Sequence, residues 1–366
     1  MKIGVLTSSR ADYGIYLPLL QKMKVDDRFQ LEIIAFGMHL QKGQGYTIDE
    51  ISNNEYQVIH KVGKMPEGDS ILEISKGYGE HVLAFANFWN SNKFDLVFAL
   101  GDRWEMSAAV QASIPFELKI AHIHGGETSL GSTDNIYRDQ ISLVSKYHFT
   151  ATEEFSKRVI SIINSKNGVH TVGSISLEGL NLDELPQWQS IKEEFSIPFD
   201  DFILFTFHPE SVGVKKNIEY SKILFKTIKE LSDKYNVLIT RSNSDVLGSQ
   251  YNYQFKVLED LLPDKIKLVS SLGKLNYFRA LERCHFMLGN TSSGIIEAAS
   301  FKKWVINIGD RQKGRLRNQN TIDVPLNAAE IHQAISTISS IGVPNGYNKY
   351  VRSLTTDNII RIITEE

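Results

Sequence analysis

Residues 285–300 read HFMLGNTSSGIIEAAS, an apolar run followed by small hydroxyl residues and a second apolar stretch. The run 285–289 predicts a buried strand, and the apolar spacing over 292–300 predicts a helix that starts directly after it. A strand that passes at once into a helix is the repeating unit of parallel sheets covered by helices. The first turn of this helix has free backbone N–H groups beside three hydroxyls, which favours an anion such as a diphosphate.

The same alternation of strand and helix runs through the rest of the chain. Apolar, β-branched runs predict strands at 2–7, 31–36, 95–100, 119–124, 201–207, 236–240, 265–269, 285–289 and 303–308. Helical periodicity fills the gaps, at 15–23, 71–89, 153–163, 217–235, 251–262, 274–283, 292–300 and 355–364. We therefore predict an α/β protein with two doubly wound, Rossmann-like domains facing a cleft, where the carboxyl ends of the strands bind ligands.

Two domains are expected from the size of the chain. It has 366 residues, 42% of them hydrophobic, which is more apolar material than one core usually holds. We place the first domain at 1–175 together with a C-terminal helix in 355–366, and the second at 176–354. The polar stretch 181–198 is the favoured junction, and Gly173-Ser174 is the alternative.

Charge and cysteine content exclude several classes of protein. The formal net charge is −3 with both signs mixed along the chain, so no cationic surface for nucleic acid or an anionic membrane is expected. The single cysteine, Cys284, excludes disulfide scaffolds and cysteine metal sites, and we expect its thiol to be buried and inert. The N-terminus lacks a signal peptide and no stretch could cross a bilayer, which predicts a cytoplasmic protein.

Three strand ends in the first half carry candidate functional side chains. Arg10 follows the first strand behind small hydroxyl residues, which suits an oxyanion, although such turns are also ordinary helix caps. Asp102 follows the third strand, where it either acts on a ligand or caps the next helix. Glu127 follows Gly125-Gly126 after the fourth strand, and because a glycine pair lets the backbone approach a ligand closely, we favour a functional carboxylate.

Two histidines and a charged pair lie near these strand ends. His122 and His124 alternate with apolar residues, so both are expected on one face, either in contact with a ligand or as core histidines. Their spacing from Glu127 is not a compact zinc arrangement, and we expect no metal. Asp134 and Arg138 are four residues apart on one helical face, as either an exposed ion pair or part of the substrate site.

The second half adds a histidine, a carboxylate and a cationic loop. His208 ends a strand ahead of a proline that stops the strand, so we expect it to be presented at the strand end rather than buried. Glu297 lies inside the helix that follows the hydroxyl run, where a carboxylate can accept hydrogen bonds from both hydroxyls of a ribose. Arg311 and Arg315 belong to a loop with four cations that either closes on phosphates or is a solvated surface. No Gly-x-Gly-x-x-Gly follows an early strand and no Walker A motif is present, so we predict no cofactor.

Seven motifs extend these local signals over most of the chain. In order they are SSRADYG, GMH, LGDRWE, HIHGGE, TFHPE, GNTSSG and NIGDRQKGR, between residues 8 and 315. In this series the chain resembles the hydrolysing UDP-N-acetylglucosamine 2-epimerases of bacterial sialic-acid biosynthesis. Seven ordered matches over that length are far more specific than any one of them.

The resemblance implies a glycosyltransferase-B-like fold whose C-terminal helix returns to the first domain. It implies a UDP-sugar substrate and, as is common in the family, a homo-oligomer (a dimer or tetramer). The side chains implied to bind UDP are Thr291, Ser292, Ser293, Glu297 and Arg311, with Arg10 reaching in from the first domain. The side chains implied to surround the sugar are Asp102, Glu127, Asp134 and His208.

The chain departs from the family pattern in one motif. Where many members read Asp-Asp-x-Ile-Arg-His, residues 134–139 here read DNIYRD. The second acid and the histidine are both changed, whereas Asp134 and Arg138 are kept. The preference for one sugar over another is therefore left open.

Elimination is the expected chemistry for such a substrate, because carbon 2 has no adjacent carbonyl to stabilise a carbanion. A base takes the proton from carbon 2 while UDP leaves carbon 1, and water then adds to the glycal to give N-acetylmannosamine. We expect Glu127 or Asp102 to be the base, with the other handling the water. Asp134 would position the sugar, and His208 would assist the leaving diphosphate.

Four other functions stay open. A hydrolysing 2-epimerase for UDP-N,N′-diacetylbacillosamine would share the phosphate machinery. A non-hydrolysing 2-epimerase typically has Arg-Pro-Glu where this chain has Arg10-Ala11-Asp12, and lacks the Gly-Gly-Glu turn. A glycosyltransferase of the same architecture would need an acceptor, and a nucleotide-sugar sensor would bind UDP without turnover.

Overall fold

The chain forms two compact units. The computed structural model describes residues 1–41, 47–54, 56, 58–210, 216–242 and 247–365. The first unit comprises Met1–Glu127, Asp134–Leu180 and the chain from Tyr350 on, and the second comprises Thr128–Thr133 and Asn181–Lys349. Residue 366, the last of the predicted segment 355–366, lies outside the described residues.

The first unit is built on a seven-stranded parallel sheet. In chain order its strands are β1 (Lys2–Thr7), β2 (Gln30–Gly37), β3 (Val58–Lys64), β4 (Leu96–Leu100), β5 (Ile120–Ile123), β6 (Tyr147–Thr150) and β7 (Val169–Thr171). Across the sheet their order is β3-β2-β1-β4-β5-β6-β7. Ile3 and Val5 belong to one core cluster and Leu6 to another, because helices bury both faces of the sheet.

Three of the helices that cover this sheet start at a capping side chain, namely Ser9, Ser70 and Thr152. The α-helices between these strands are α1 (Arg10–Lys24), α2 (Ile48–Ser52), α3 (Ile71–Ser91), α4 (Trp104–Gln111), α5 (Asp134–Val144) and α6 (Glu153–Ile163). At the start of α3, Ser70 Oγ accepts a hydrogen bond from the Glu73 N–H at 3.2 Å, and the Glu73 carboxylate accepts one from the Ser70 N–H. This capping box satisfies two N–H groups that the helix itself cannot pair.

The second unit repeats the plan with a six-stranded parallel sheet of order β10-β9-β8-β11-β12-β13. Its strands are β8 (Ile203–Thr206), β9 (Val237–Thr240), β10 (Ile266–Val269), β11 (Met287–Gly289), β12 (Val305–Ile308) and β13 (Thr321–Val324). Its helices are α7 (Trp188–Phe195), α8 (Asn217–Leu231), α9 (Gly248–Leu261), α10 (Lys274–Arg283), α11 (Ser292–Ile296) and α12 (Ala328–Ile341).

The last helix, α13 (Thr355–Glu365), belongs to the first unit. Ile359 and Ile363 lie in the same core cluster as α1. Thr355 Oγ1 donates to the Val172 carbonyl at 2.8 Å, and the Glu178 carboxylate accepts from the Thr356 N–H at 2.6 Å. A carboxylate at the first turn of α13 also complements the helix dipole.

Strand order reverses once in each sheet, and ligands bind at such points in doubly wound folds. In the first unit the reversal lies between β1 and β4, whose carboxyl ends lead to Ser8–Arg10 and to Asp102. In the second unit it lies between β8 and β11, whose carboxyl ends lead to His208 and to Thr291. In each unit, the strands nearest the reversal therefore carry candidate residues.

The structure confirms the predicted class of two doubly wound α/β units. One predicted element is wrong: the helix expected over 292–300 ends at Ile296, and a 3₁₀ helix follows at Ala298–Phe301. Strands β3, β6, β7 and β13 were not predicted, nor were helices α2, α7 and α12. The units divide after Leu180 and before Tyr350, while the boundaries 175/176 and 354/355 stay a prediction.

None of the described helices has both the length and the apolar character needed to cross a membrane. Cys284 is fully buried, as expected, and burial raises the pKa of its thiol to about 12.

Candidate active site

At the end of β1, Ser9 fixes the start of α1 and thereby the place of Arg10. Its hydroxyl accepts a hydrogen bond from the Asp12 N–H at 3.3 Å, so Ser9 is the N-cap and Arg10 is the first residue of the helix. The predicted turn of small hydroxyl residues is therefore a helix cap, and Arg10 lies in its first turn, where free N–H groups favour an anion.

Sequence reasoning missed a buried carboxylate pair behind this turn. The Ser8 hydroxyl lies 2.7 Å from Asp12 Oδ2 and 3.1 Å from Glu105 Oε1, and Arg103 Nε donates to the same Glu105 oxygen at 2.5 Å. Burial raises the pKa of Asp12, an effect that the charge of Arg103 partly offsets. Both carboxylates fall inside motifs quoted above, but only the fold shows that they share one serine.

Asp102 is paired with a buried arginine and does not cap a helix. Helix α4 starts at Trp104 with Arg103 at its N-cap position, where no side-chain cap forms. Instead, Asp102 Oδ2 accepts a short hydrogen bond from Arg138 Nη2. Arg138 is only 1% exposed, so its predicted alternative as half of an exposed i,i+4 pair with Asp134 is wrong. Asp134 is the first residue of α5.

Glu127 is buried in a turn that holds its side chain in place. Its Oε1 lies 2.8 Å from Nδ1 of His124, whose Nε2 is 3.5 Å from the Ser174 hydroxyl. His124 itself follows the end of β5 with a φ of 64°, in the left-handed region. The strand alternation expected for His122 and His124 therefore does not reach His124, which instead pairs with the candidate catalytic carboxylate.

His122 is a core histidine. Its Nε2 lies 2.8 Å from the Gly101 carbonyl and must carry the proton, so its Nδ1 accepts from the Ser142 hydroxyl at 3.0 Å. Burial lowers the pKa of this ring to about 3, which keeps it neutral. Its position therefore supports the Gly101 peptide that precedes Asp102. Within the described residues, no group of three or more histidine, cysteine or acidic side chains could hold a metal ion.

His208 follows β8 and is held by a neighbouring asparagine. The His208 side chain is buried, at 5% exposure, so the prediction that it is presented rather than buried is wrong. Asn290 Oδ1 accepts from the His208 N–H at 2.7 Å, and Asn290 Nδ2 donates to the His208 carbonyl at 2.8 Å. The Asn290 carbonyl in turn accepts from Gln312 Nε2 at 2.8 Å. The amide of Asn290 thus continues the pairing of β8 with β11 beyond the strands, and connects His208 to the cationic loop.

The hydroxyl run after β11 is organised around Glu297. Thr291 is the N-cap of α11, and its hydroxyl accepts from the Ser293 N–H at 3.4 Å. Ser293 Oγ donates to Glu297 Oε2 at 2.5 Å, and Tyr277 is hydrogen-bonded to Ser293. Tyr277 was not predicted from the sequence, because it lies on α10 with no local signal linking it to this turn.

The four cations of the 309–317 loop have different surroundings. Arg311 and Arg315 are 8% and 7% exposed, respectively. Arg317 pairs with Asp323 at 2.9 Å and donates to two carbonyls of its own loop, while the Lys313 side chain is 64% exposed. The solvated alternative therefore holds for Lys313, whereas Arg311 and Arg315 are buried and their contact with phosphates stays a prediction.

Within each unit, hydrogen bonds join some of the predicted residues. In the first unit, Arg138 contacts both Asp102 and the Glu127 carbonyl. In the second, Asn290 joins the His208 backbone to the strand that leads into Thr291. Arg138 thus holds Asp102 by its carboxylate and Glu127 by its backbone, and two carboxylates can divide proton acceptance and donation between them. Hydroxyls and N–H groups beside buried arginines can bind phosphate oxygens.

Comparison with known proteins adds sequence and structural relatives. A sequence profile described as "UDP-N-acetylglucosamine 2-epimerase" matches residues 21–364. The chain is 31% identical to "Polysialic acid biosynthesis protein P7" of Escherichia coli, over 100% of this chain and 94% of that protein. It is 32% identical to "UDP-N,N'-diacetylbacillosamine 2-epimerase (hydrolyzing)" of Legionella pneumophila, over 88% of this chain and 85% of that protein.

A solved structure shows the same fold. The crystal structure of UDP-GlcNAc 2-epimerase from Neisseria meningitidis bound to UDP-GlcNAc matches with a TM-score of 0.80 over 100% of both chains, at 16% identity. The family profile covers nearly the whole chain, and relatives above 30% identity match along most of their own length. The chain therefore belongs to the UDP-N-acetylglucosamine 2-epimerase family.

Proposed function

We propose that this chain is a hydrolysing 2-epimerase that converts UDP-N-acetylglucosamine and water to N-acetylmannosamine and UDP, for sialic-acid synthesis. The observation that carries the proposal is the pair of carboxyl residues around Arg138, with Asp102 on its Nη2 and the Glu127 carbonyl on its Nη1. An elimination followed by hydration needs two groups that exchange protons at the same sugar carbons. The family assignment and this pair point to the same reaction.

The proposed reaction has two steps. In the first, a carboxylate takes the proton from carbon 2, the electron pair forms the carbon 1–carbon 2 double bond, and the bond from carbon 1 to UDP breaks. In the second, a proton is added to carbon 2 and hydroxide from water to carbon 1, which gives N-acetylmannosamine. The leaving group is a diphosphate, so positive groups that stabilise its developing charge accelerate the first step.

The carboxylates of the first unit are assigned to the sugar. Glu127 or Asp102 is the base, the other handles the added water, and Asp134 positions the sugar. Glu127 is the stronger candidate for the base, because His124 fixes its carboxylate at 2.8 Å. The assignment of the base to one of the two stays a prediction.

The second unit is assigned to UDP. Thr291, Ser292 and Ser293 offer hydroxyls and N–H groups to phosphate oxygens. Because α11 ends at Ile296, its dipole is short, and the stabilisation comes from these local donors and from Arg311 and Arg315. Arg10 of the first unit is proposed to contribute to the same diphosphate.

The remaining roles concern the ribose and the leaving group. Glu297 accepts from Ser293 at 2.5 Å and keeps further lone pairs for ribose hydroxyls. His208, held through its backbone by Asn290, assists the leaving diphosphate. The expected homo-oligomer and cytoplasmic location stay predictions.

Hydrolysis, rather than return of UDP to the sugar, is favoured by two local features. The chain has Arg10-Ala11-Asp12 in place of the Arg-Pro-Glu of non-hydrolysing members, and it has the turn Gly125-Gly126-Glu127 that they lack. In this turn the Glu127 carboxylate is buried against His124.

One incubation tests the reaction class. With UDP-N-acetylglucosamine in heavy water, without acceptor or metal, we expect free UDP and N-acetylmannosamine with deuterium at carbon 2, because the base exchanges its proton with solvent. Glu127→Gln and Asp102→Asn should each lower turnover by about a hundredfold or more, as expected for a lost acid or base. UDP-N-acetylmannosamine as product would instead indicate a non-hydrolysing enzyme, and wild-type turnover in both variants would overturn the mechanism.

A second candidate substrate is UDP-N,N′-diacetylbacillosamine. It is favoured by the 32% identical relative from Legionella pneumophila and by the changed motif at 134–139, which lies on the sugar side. The kcat/KM for the two nucleotide sugars, measured side by side with the same preparation, decides between them.

A further inference from the structure

The carbonyl oxygen of Glu127 accepts hydrogen bonds from two guanidinium groups. Arg138 Nη1 donates to it at 2.8 Å and Arg158 Nη1 at 2.9 Å. Hydrogen bonds from charged donors are among the strongest in proteins, and two on one carbonyl fix the plane of the peptide that follows Glu127. The direction of the Glu127 side chain depends on that backbone geometry.

Arg158 is itself held by Asp139. Its Nη2 donates to Asp139 Oδ2 at 2.7 Å, and the two side chains are 28% and 27% exposed. Asp139 stands where the resembling family's motif has a histidine. A second changed position of that motif, Asn135, places its Oδ1 3.5 Å from Arg138 Nη1. Two departures from the family pattern, Asn135 and Asp139, therefore contact the two arginines that bind the Glu127 carbonyl.

Helix α6, which carries Arg158, also backs the turn directly. A Cβ added at Gly126 would come within 2.2 Å of the Phe155 carbonyl oxygen, so the turn lies against the α6 backbone with no room between them. The turn is thus fixed by packing at Gly126, by two arginines at the Glu127 carbonyl, and by His124 at the Glu127 carboxylate.

We infer that Arg158, oriented by Asp139, is a positioning residue that sets the geometry of Glu127. The inference rests on the proposed function, in which Glu127 touches the reacting sugar. Arg158 is the informative residue of the two arginines, because Arg138 also binds Asp102 and its loss would disturb both carboxylates. Displacing a reacting group by about 1 Å can cost on the order of a hundredfold in rate, so loss of one of several anchors is expected to cost less.

The test compares Arg158→Met with a matched surface arginine. Arg28 pairs with Asp26 at 2.6 Å in the same unit and contacts no candidate residue, so Arg28→Met is the control. We expect Arg158→Met to lower kcat about tenfold. KM and the inhibition constant for UDP should change little, because the proposed function assigns UDP to residues of the second unit. Arg28→Met should leave all three unchanged.

Two further measurements separate positioning from general damage. Asp139→Asn should give a smaller loss of kcat, and the double variant should lose less than the product of the single losses, because the residues act through one contact. Arg158→Met should also increase amide hydrogen exchange in a peptide covering 124–129, without a change in the peptides of the second unit.

The outcomes distinguish this inference from the proposed function. If the wild-type chain turns over no UDP-sugar, the proposed function fails, and hydrogen exchange in the 124–129 peptide still decides whether Arg158 holds the turn. If kcat and hydrogen exchange are both unchanged in Arg158→Met, the inference is wrong while the function stands. A loss that appears equally in KM and in UDP binding also overturns it.

Discussion

Gly101 and Gly126 have almost the same φ angle but different surroundings. Their φ angles are 79° and 78°, both in the left-handed region that L side chains rarely adopt. A Cβ at Gly101 would meet nothing within 4 Å, whereas one at Gly126 would lie 2.2 Å from the Phe155 carbonyl oxygen. The two residues directly precede the candidate carboxylates Asp102 and Glu127. A glycine with a positive φ angle therefore stands before each carboxylate.

Alanine substitutions at Gly101 and Gly126 distinguish the energetic cost of backbone strain from that of a steric clash. Gly101→Ala should cost about 1–2 kcal/mol of unfolding free energy, the usual penalty of the left-handed region. Gly126→Ala should cost that amount plus a further roughly 1–3 kcal/mol, because the Phe155 carbonyl must move. Urea unfolding of both variants measures these costs. Equal losses of unfolding free energy would show that the close approach of α6 to Gly126 does not contribute to the cost of the substitution.

At the level of elements, the short helix α11 is ended by side chains from far along the chain. Asn318 Nδ2 donates to the Ile295 carbonyl at 3.0 Å, and Asn348 Nδ2 donates to the Ile296 carbonyl at 2.7 Å and to Ser300 Oγ at 2.9 Å. These donors satisfy carbonyls that a longer helix would pair itself. They also explain why apolar spacing, which extends to 300, overestimates the helix.

Removing one of these donors should loosen the proposed UDP site. Asn348→Ala leaves the Ile296 carbonyl without its donor, and we expect a loss of about 1–3 kcal/mol in unfolding free energy. UDP affinity should fall with it, because α11 carries Thr291–Ser293 at its start. Asn345→Ala, at an exposed residue whose side-chain amide donates to Gln319, is the control. Calorimetric titration with UDP and urea unfolding measure both effects; unchanged affinity would contradict the coupling.

For the molecule as a whole, three buried histidines of the first unit couple stability to pH. Burial lowers the pKa of His39 and His148 to about 4 and that of His122 to about 3. Below pH 6.5 the unfolded chain binds protons at these sites that the folded chain does not, so acid favours unfolding. Their contribution is present above pH 6.5 and is lost as the pH falls toward 4 and 3.

Stability should therefore decrease between pH 7 and pH 5. Each of the three histidines contributes about 2 kcal/mol to the loss between pH 6.5 and pH 5, at about 1.4 kcal/mol per pH unit. His122→Gln should reduce the slope of unfolding free energy against pH by up to about 1.4 kcal/mol per pH unit, which corresponds to one proton. His332→Gln, at a half-exposed surface residue, serves as the control. An unchanged slope in His122→Gln would mean that this ring is protonated in the folded chain.

The sequence by itself determined the α/β class, the strand ends that carry Asp102, Glu127 and His208, and the family. These follow from local signals, because hydrophobic period and motif order are read along the chain without knowledge of pairing. The difference between residues 134–139 and the family motif is also evident from the sequence alone.

Only the tertiary structure decided how those residues are held. Arg138 binds Asp102, 36 residues earlier, and Asn290 binds His208, 82 residues earlier. Which loop arginines are buried, and that Arg158 reaches the Glu127 carbonyl, depend in the same way on the order of strands across a sheet. Sequence spacing carries no information about such contacts, because parallel strands bring together residues whose separation is set by the intervening helices and loops.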